Sequence, residues 1–270
     1  MPRFAVKLIL LLSLLGAGLF VAGCFDDTAG RDDLSEAREY MRHRDFMEAE
    51  KSFERYLRRN PDGKDRWEVW NNLVDLALNV RHNRVAAIEL LEAMLIEYEG
   101  VYPELRLVQE RLASEYEQSR RFDRAMSLWG QIETDPGTPD LQKASIYRSM
   151  ARIYLRRLEF EHVKTSLNQC LSLNVPQSIK SDCQYDLADA YMIMEDTDAG
   201  IAALRELLQQ DGVDDDLRVL SIFMLADALE LKGEKQDALA LFESIRFTYP
   251  NNSVIEARIE YLKAPPKIQY

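Results

Sequence analysis

The feature that most constrains the fold is a pattern of small and large apolar residues that recurs about every 38 residues. Residues 219–250 show it most plainly. Ala226 and Leu229 lie on one face of a first predicted helix, and Ala238 and Phe242 lie on one face of a second. A glycine separates the two segments, and a proline ends the second. This stretch therefore predicts a pair of helices joined by a short turn.

Five further repeats carry the same pattern in one register, each beginning 37 or 38 residues after the last. The six repeats begin at Gly30, Glu68, Arg106, Ala144, Ser181 and Val219. The eighth residue of each repeat is alanine, except in the second repeat, where it is Asp75. This aspartate predicts either that the second repeat is locally distorted or that the carboxylate caps a helix or pairs with a nearby side chain. Small residues let two helices approach closely, and large residues fill the space beside the contact. The sequence predicts an array of helical hairpins.

This pattern resembles the tetratricopeptide repeat, in which small residues occupy positions 8 and 20, an aromatic residue position 24 and proline position 32. The resemblance implies an all-α fold, a right-handed α-solenoid of about six hairpins over residues 33–263. An apolar stripe in residues 253–263 predicts a C-terminal capping helix, with a tail at residues 264–270. The 38-residue period exceeds the usual 34, which leaves a HEAT-like or Sel1-like array as the alternative fold.

The N-terminus has the composition of an export signal. Within residues 1–23, two basic residues accompany an apolar run that is too short to span a bilayer. The run ends in Val-Ala-Gly before Cys24 and resembles a bacterial lipobox. The resemblance implies removal of residues 1–23 and attachment of acyl chains, palmitate among them, to Cys24. An ordinary signal peptide with a chance cysteine is the alternative.

Residues 24–32 are polar and contain glycine, so they are predicted to form a flexible tether between lipid and fold. In the lipoproteins that this segment resembles, aspartate directly after the cysteine favours the inner membrane, whereas this chain has Phe25. We therefore expect a lipid-anchored protein of the bacterial cell envelope, in the outer membrane and facing the periplasm.

The formal net charge of −12 argues against non-specific binding to nucleic acid or to an anionic membrane face, because both need a positive surface. No catalytic or metal-binding pattern is recognisable. The three histidines, His43, His82 and His162, fall in different repeats at predicted turns. The sequence predicts a protein that is not an enzyme, with no cofactor, no metal and no small-molecule substrate.

Cys170 and Cys183 fall on two consecutive predicted helices that should pack together. Export into an oxidising periplasm would permit a disulfide between them. The alternative is a pair of buried thiols.

In tetratricopeptide repeat proteins, the first helix of each repeat lines a concave surface that contacts a peptide. The groove residues that this resemblance implies are Arg148, Arg152, Arg156, Tyr185, Asp189 and Met192. The three arginines lie on one helical face, and such a row can bind carboxylates through paired hydrogen bonds. Alternatively, the arginines form ion pairs with Glu110, Glu117 and Asp189 of neighbouring repeats.

These features predict a scaffold that binds a protein or peptide partner in envelope assembly. A lipobox cysteine, helical hairpins and a last repeat ending in Tyr249, Pro250 and Asn251 are similar in layout to the outer-membrane assembly lipoprotein BamD family. A pilotin-like lipoprotein that assists a secretin or type IV pilus has the same layout. An enzyme of cell-wall metabolism, or its regulator, has less support, because it would need a paired-carboxylate or nucleophile site.

Overall fold

The computed structural model describes residues 27–101 and 104–264. These residues form thirteen α-helices and one π-helical turn, with no strand among them, and confirm the predicted all-α fold of helical hairpins. None of these helices is both long and apolar enough to cross a bilayer. The predicted signal segment, Cys24 and residues 265–270 of the predicted tail lie outside the described residues.

The described chain divides into two compact units, and the boundary between them in the sequence lies between His82 and Asn83. The first unit contains α1 (Asp27–His43), α2 (Phe46–Arg59), α3 (Arg66–Asp75) and the π-helical turn (Leu76–Val80). α1 begins at Asp27, so residues 27–32 of the segment that was predicted to be a tether are helical in the structure. Polar sequences rich in aspartate suit a first helical turn as well as a linker, because acidic residues interact favourably with the helix dipole.

The second repeat is distorted at the position where the other repeats have alanine. Asp75 is exposed, and the π-helical turn that follows it buries Leu76 and Ala77 instead. The N–H of Arg81 donates to the carbonyl of Leu76 at 3.0 Å, across five residues. The wider turn keeps a carboxylate out of a close helix contact, where it would lose hydration. The predicted distortion is confirmed.

The second unit consists of ten helices in succession. They are α4 (Arg84–Glu97), α5 (Glu104–Gln118), α6 (Phe122–Thr134), α7 (Asp140–Arg156), α8 (Phe160–Ser172), α9 (Gln177–Ile193), α10 (Thr197–Leu208), α11 (Asp215–Leu231), α12 (Lys235–Ser244) and α13 (Asn252–Lys263). Consecutive helices pack against one another, and α7, α9 and α11 also contact each other in order. The capping helix α13 is confirmed, since it buries Ile255 and Ile259 against the cluster around Phe242.

The turns inside the hairpins share one backbone conformation. The fifteenth residue of every repeat has a positive φ: Arg44 (63°), His82 (51°), Arg120 (58°), Leu158 (60°), Glu195 (62°) and Gly233 (83°). In five of the repeats the next N–H donates to the carbonyl five residues earlier, as Glu159 does to Tyr154 at 2.9 Å. This is the hydrogen bond of a Schellman cap, which ends a helix through a left-handed residue.

Candidate functional site

Two adjoining recesses lie along the face that α5, α7 and α9 form in the second unit. The first, of about 490 Å³, is lined by Arg106, Leu107, Glu110, Pro139, Leu141 and Gln142. The second, of about 290 Å³, is lined by Leu141, Ser145, Arg148, Arg152 and Ile179. Leu141 belongs to both. We call the two recesses together the α5–α7–α9 groove.

The groove exposes large apolar side chains. Leu107 on α5 is 52% exposed and Leu141 on α7 is 56% exposed. Ile179 on α9 is half-buried beside them. Side chains of this size that face a recess offer apolar surface to a ligand, since burying such surface is favourable.

Arg148, which was predicted to bind a partner, is held by two aspartates of α9. Its Nε and Nη1 lie 2.5 Å from Asp186 and 2.8 Å from Asp182. Burial lowers the pKa of the guanidinium, but its hydrogen bond to Asp186 and the charges of both aspartates outweigh this effect and raise the pKa. Arg148 therefore joins α7 to α9 and has little capacity left for a partner.

The other two arginines differ in their contacts. The Nε of Arg152 lies 3.0 Å from Glu117 on α5, and its Nη2 donates to Ser149 at 2.8 Å. Arg156 is exposed and forms no ion pair with another residue that the structure describes. Of the ion pairs expected between the arginines and neighbouring repeats, the one between Arg152 and Glu117 is present. Arg148 also pairs with a neighbouring repeat, but its partners are Asp182 and Asp186. Neither Glu110 nor Asp189 binds it.

Two carboxylates on this side of the second unit have no partner among the described residues. The Oε1 of Glu110 is buried without a hydrogen bond. Burial raises the pKa of Glu110, and the charge of Arg106 opposes this only in part. Burial and the nearby charge of Asp186 both raise the pKa of Asp189, which has no hydrogen bond or ion pair with a described residue. These two carboxylates are acidic groups that a partner could contact, whereas the sequence analysis placed the binding capacity in arginines.

Two further predicted groove residues, Tyr185 and Met192, lie in different surroundings. Tyr185 is half-buried, and burial followed by the charges of Asp189 and Asp186 raises the pKa of its phenol. Met192 packs over α10, with its sulfur 2.7 Å from the position that a Cβ on Gly200 would occupy. The half-buried side chain of Met192 therefore lies against α10 at Gly200, and a role for Met192 in the groove stays a prediction.

Aromatic residues lie close to Tyr185. The ring of Phe223 on α11 stacks against that of Tyr249, with centroids 4.6 Å apart, and meets Phe242 edge-on at 5.6 Å. Tyr249 is also near enough to Tyr185 to contribute to its raised pKa, after burial and the two aspartates. The sequence analysis did not identify Tyr249 as a site residue, because it follows α12 and no helical periodicity places it beside α9.

Cys170 on α8 and Cys183 on α9 are both fully buried, with Cα atoms 6.2 Å apart and sulfur atoms 1.95 Å apart. The predicted partners therefore meet. Formation of the bond in an oxidising compartment stays a prediction.

The described residues contain no group of three His, Cys, Asp or Glu side chains that could hold a metal ion. The histidines lie apart, as their sequence positions indicate. His43 contacts Glu39 at 3.2 Å, and His162 stacks on Tyr154 at 4.9 Å within the first turn of α8.

A sequence profile described as "Tetratricopeptide repeat" matches residues 34–102 and 185–253, which is just over half of the chain. No curated protein sequence matches this chain significantly.

Solved structures with a similar fold include three that the chain covers almost completely. One is PilW, described as a widely conserved type IV pilus biogenesis factor (14% identity, TM-score 0.56, 88% of this chain and 100% of that chain). A second is PilF of Pseudomonas aeruginosa (12%, 0.53, 86% and 98%). A third is BtubC (BKLC) from P. vanneervenii (18%, 0.52, 90% and 94%). At these identities the similarity concerns the fold.

Proposed function

Because this chain is a member of the tetratricopeptide repeat family, whose domains bind proteins or peptides, we propose that its α5–α7–α9 groove binds an extended segment of a protein partner in the bacterial cell envelope. The observation that carries this proposal is the pair of recesses that share the half-exposed Leu141. One recess contains a buried carboxylate oxygen of Glu110 without a partner. A segment that supplies apolar side chains and N–H donors would satisfy both.

The groove is suited to a peptide better than to a small molecule. Its two recesses adjoin each other, and their polar groups are spread along α5 and α7 instead of converging on one point. An extended peptide places successive side chains into such a row of recesses, and its backbone supplies hydrogen-bond donors along the way. The function is therefore that of a scaffold, with no chemical step.

The proposed location is the outer membrane, with Cys24 lipidated and the helical repeats facing the periplasm. The lipobox-like residues 21–24 support this location. The similarity in layout to the BamD family supports assembly of outer-membrane proteins as the process that the scaffold serves.

The second candidate process is assembly of a type IV pilus or a secretin. The fold similarity to PilW, a type IV pilus biogenesis factor by its description, favours this candidate. Both processes need a periplasm-facing scaffold that holds another protein, so the two candidates differ in the partner and not in the groove.

Crosslinking in cells, followed by purification of the lipidated protein from membranes, tests the proposal. We compare the wild-type protein with Leu141→Glu and with Ile96→Glu, a matched control at an exposed position of α4. The Leu141→Glu variant should lose at least about tenfold in partner recovery, because a charge replaces the shared apolar contact. Ile96→Glu should retain the partner. Equal recovery by Leu141→Glu would contradict the proposed groove.

The same purification separates the two processes, since it recovers barrel-assembly proteins in one case and pilus or secretin components in the other. A Cys24→Ala variant tests the anchor. It should leave the membrane fraction, and its retention there would contradict lipidation of Cys24.

A further inference from the structure

The face of the second unit that continues from α9 to α11 carries an excess of negative charge beside aromatic rings. We call its members the α9–α11 patch: Tyr185, Asp186 and Asp189 of α9, Phe223 of α11, and Tyr249. α9 carries three carboxylates near one guanidinium: Asp182 and Asp186 both bind Arg148, whereas Asp189 has no hydrogen bond or ion pair with a described residue. The three carboxylates and the guanidinium of Arg148 therefore carry a net charge of about −2 at neutral pH.

Asp189 is placed where a partner's cation would neutralise it. It is half-buried, so water stabilises its charge incompletely. Among the described residues no basic side chain pairs with Asp189, since Arg148 binds two other carboxylates and Arg258 binds Asp227 and Glu230. A new ion pair stabilises a half-buried, unpaired carboxylate more than an exposed one, because the half-buried carboxylate has already lost part of its hydration on folding.

The aromatic residues indicate which kind of cation the patch can bind. Tyr185 lies beside Asp189, and the stacked rings of Phe223 and Tyr249 continue the same surface. Aromatic faces attract cations and also pack against the methylene stem of lysine or arginine. A metal ion would find too few ligands, since no group of three suitable side chains occurs in the described residues.

We propose that the α9–α11 patch accepts a basic side chain, lysine or arginine, of the partner segment, with the Asp189 carboxylate as its counter-ion. This inference rests on the proposed function, because the cation is supplied by the segment that binds the α5–α7–α9 groove. It reverses the charge preference that the arginine row suggests: the partner segment is basic and apolar, not acidic.

The test selects random dodecapeptides displayed on phage against the lipidated protein in detergent. The wild-type protein should enrich peptides that contain lysine or arginine next to apolar residues. The affinity of one enriched peptide is then compared with that of its counterpart in which norleucine replaces the basic residue. For the wild-type protein the norleucine peptide should bind about tenfold more weakly, as expected for one lost charge-assisted contact.

Three variants make the result specific. Asp189→Asn should bind the basic and norleucine peptides with equal affinity, since the counter-ion is gone while the shape of the side chain is kept. Asp211→Asn, an exposed aspartate in the turn after α10, should retain the wild-type preference. Leu141→Glu should bind neither peptide well.

The outcomes that overturn the inference differ from those that overturn the proposed function. Enrichment of peptides without basic residues, or an unchanged preference in Asp189→Asn, overturns the basic-segment inference and leaves the groove in place. Failure of the wild-type protein to enrich any peptide overturns both.

Discussion

The side chains of Arg148 on α7 and Asp186 on α9 form a two-point ion pair, with Nε 2.5 Å from Oδ2 and Nη2 3.3 Å from Oδ1. Asp182, one turn earlier on α9, accepts from Nη1 at 2.8 Å. All three nitrogens of the guanidinium thus connect two first helices of adjacent repeats. Arg148, the first arginine of the predicted binding row, is in this way a structural contact between repeats.

Replacing Arg148 by alanine should lower the free energy of unfolding by about 2 kcal/mol. The arginine side chain is only 29% exposed, and its loss leaves Asp182 and Asp186 facing each other without a cation. Urea unfolding followed by circular dichroism measures this change. The matched control is Arg156→Ala, two helical turns away and exposed, which should stay within about 0.5 kcal/mol of the wild type. Equal effects of the two substitutions would contradict the structural role.

The left-handed turn residues predict opposite effects for two substitutions at equivalent positions. Leu158 has a φ of 60°, which costs a side-chain-bearing residue about 1 kcal/mol. Leu158→Gly should therefore raise the unfolding free energy, by less than about 1 kcal/mol because glycine also increases the entropy of the unfolded chain. Gly233→Ala, at a φ of 83°, should lower it by about 1 kcal/mol. Thermal unfolding midpoints that shift in the same direction would contradict this account.

Much of the fold could be predicted because the repeat pattern encodes packing directly. Alanine at position 8 and a large residue at position 24 recur where helices touch, and Ala113, Ala151 and Phe242 are indeed buried. The distortion near Asp75 was expected for the same reason, since a carboxylate cannot replace alanine in a close contact. The distortion takes the form of a π-helical turn because Leu76 and Ala77, which follow Asp75, are buried instead. No local sequence pattern specifies which of these residues is buried.

The candidate site was less predictable, because charge pairing depends on how far adjacent helices are displaced along their axes. The spacing of Arg148, Arg152 and Arg156 gives their common face correctly. It does not say whether α9 presents Asp182, Asp186 or Asp189 to that face, and these residues are separated by only one or two turns. The alternative that paired the arginines with Asp189 therefore named a different aspartate from the two that bind Arg148, which are Asp182 and Asp186. Left-handed turn residues had no sequence signal either, since only Gly233 among the six is glycine.

Asp189→Asn should stabilise the protein at neutral pH. Burial and the charge of Asp186 raise the pKa of Asp189 in the folded state, so the folded protein holds this proton more tightly than the unfolded chain does. The resulting cost is absent below the unfolded-state pKa of about 3.9, develops as the pH rises, and is complete above the folded-state pKa. The substitution removes that cost, by less than about 1 kcal/mol since half of the side chain is solvated.

Urea unfolding of both proteins at several pH values measures this effect as a difference between variant and wild type. The gain at pH 7 should shrink as the pH falls through the folded-state pKa of Asp189. Asp211→Asn, at an exposed position in the turn after α10, is the control for replacing an aspartate by asparagine. A gain that grows toward acid pH would have the wrong sign for a raised pKa.

Cys170 and Cys183 should be bonded in protein that has been exported to the periplasm. The two residues are separated by 13 positions, and closing a loop of about this length restricts the unfolded chain enough to contribute roughly 3 kcal/mol of stability. Mass spectrometry after alkylation of the denatured, lipidated protein should find two added groups only when reductant is present. Reductant should also lower the unfolding midpoint, while a Cys170→Ala, Cys183→Ala double variant should be insensitive to it. Alkylation of both thiols without reductant would show that they are buried side chains of an unbonded pair, and the stability of the α8–α9 contact would then come from packing alone.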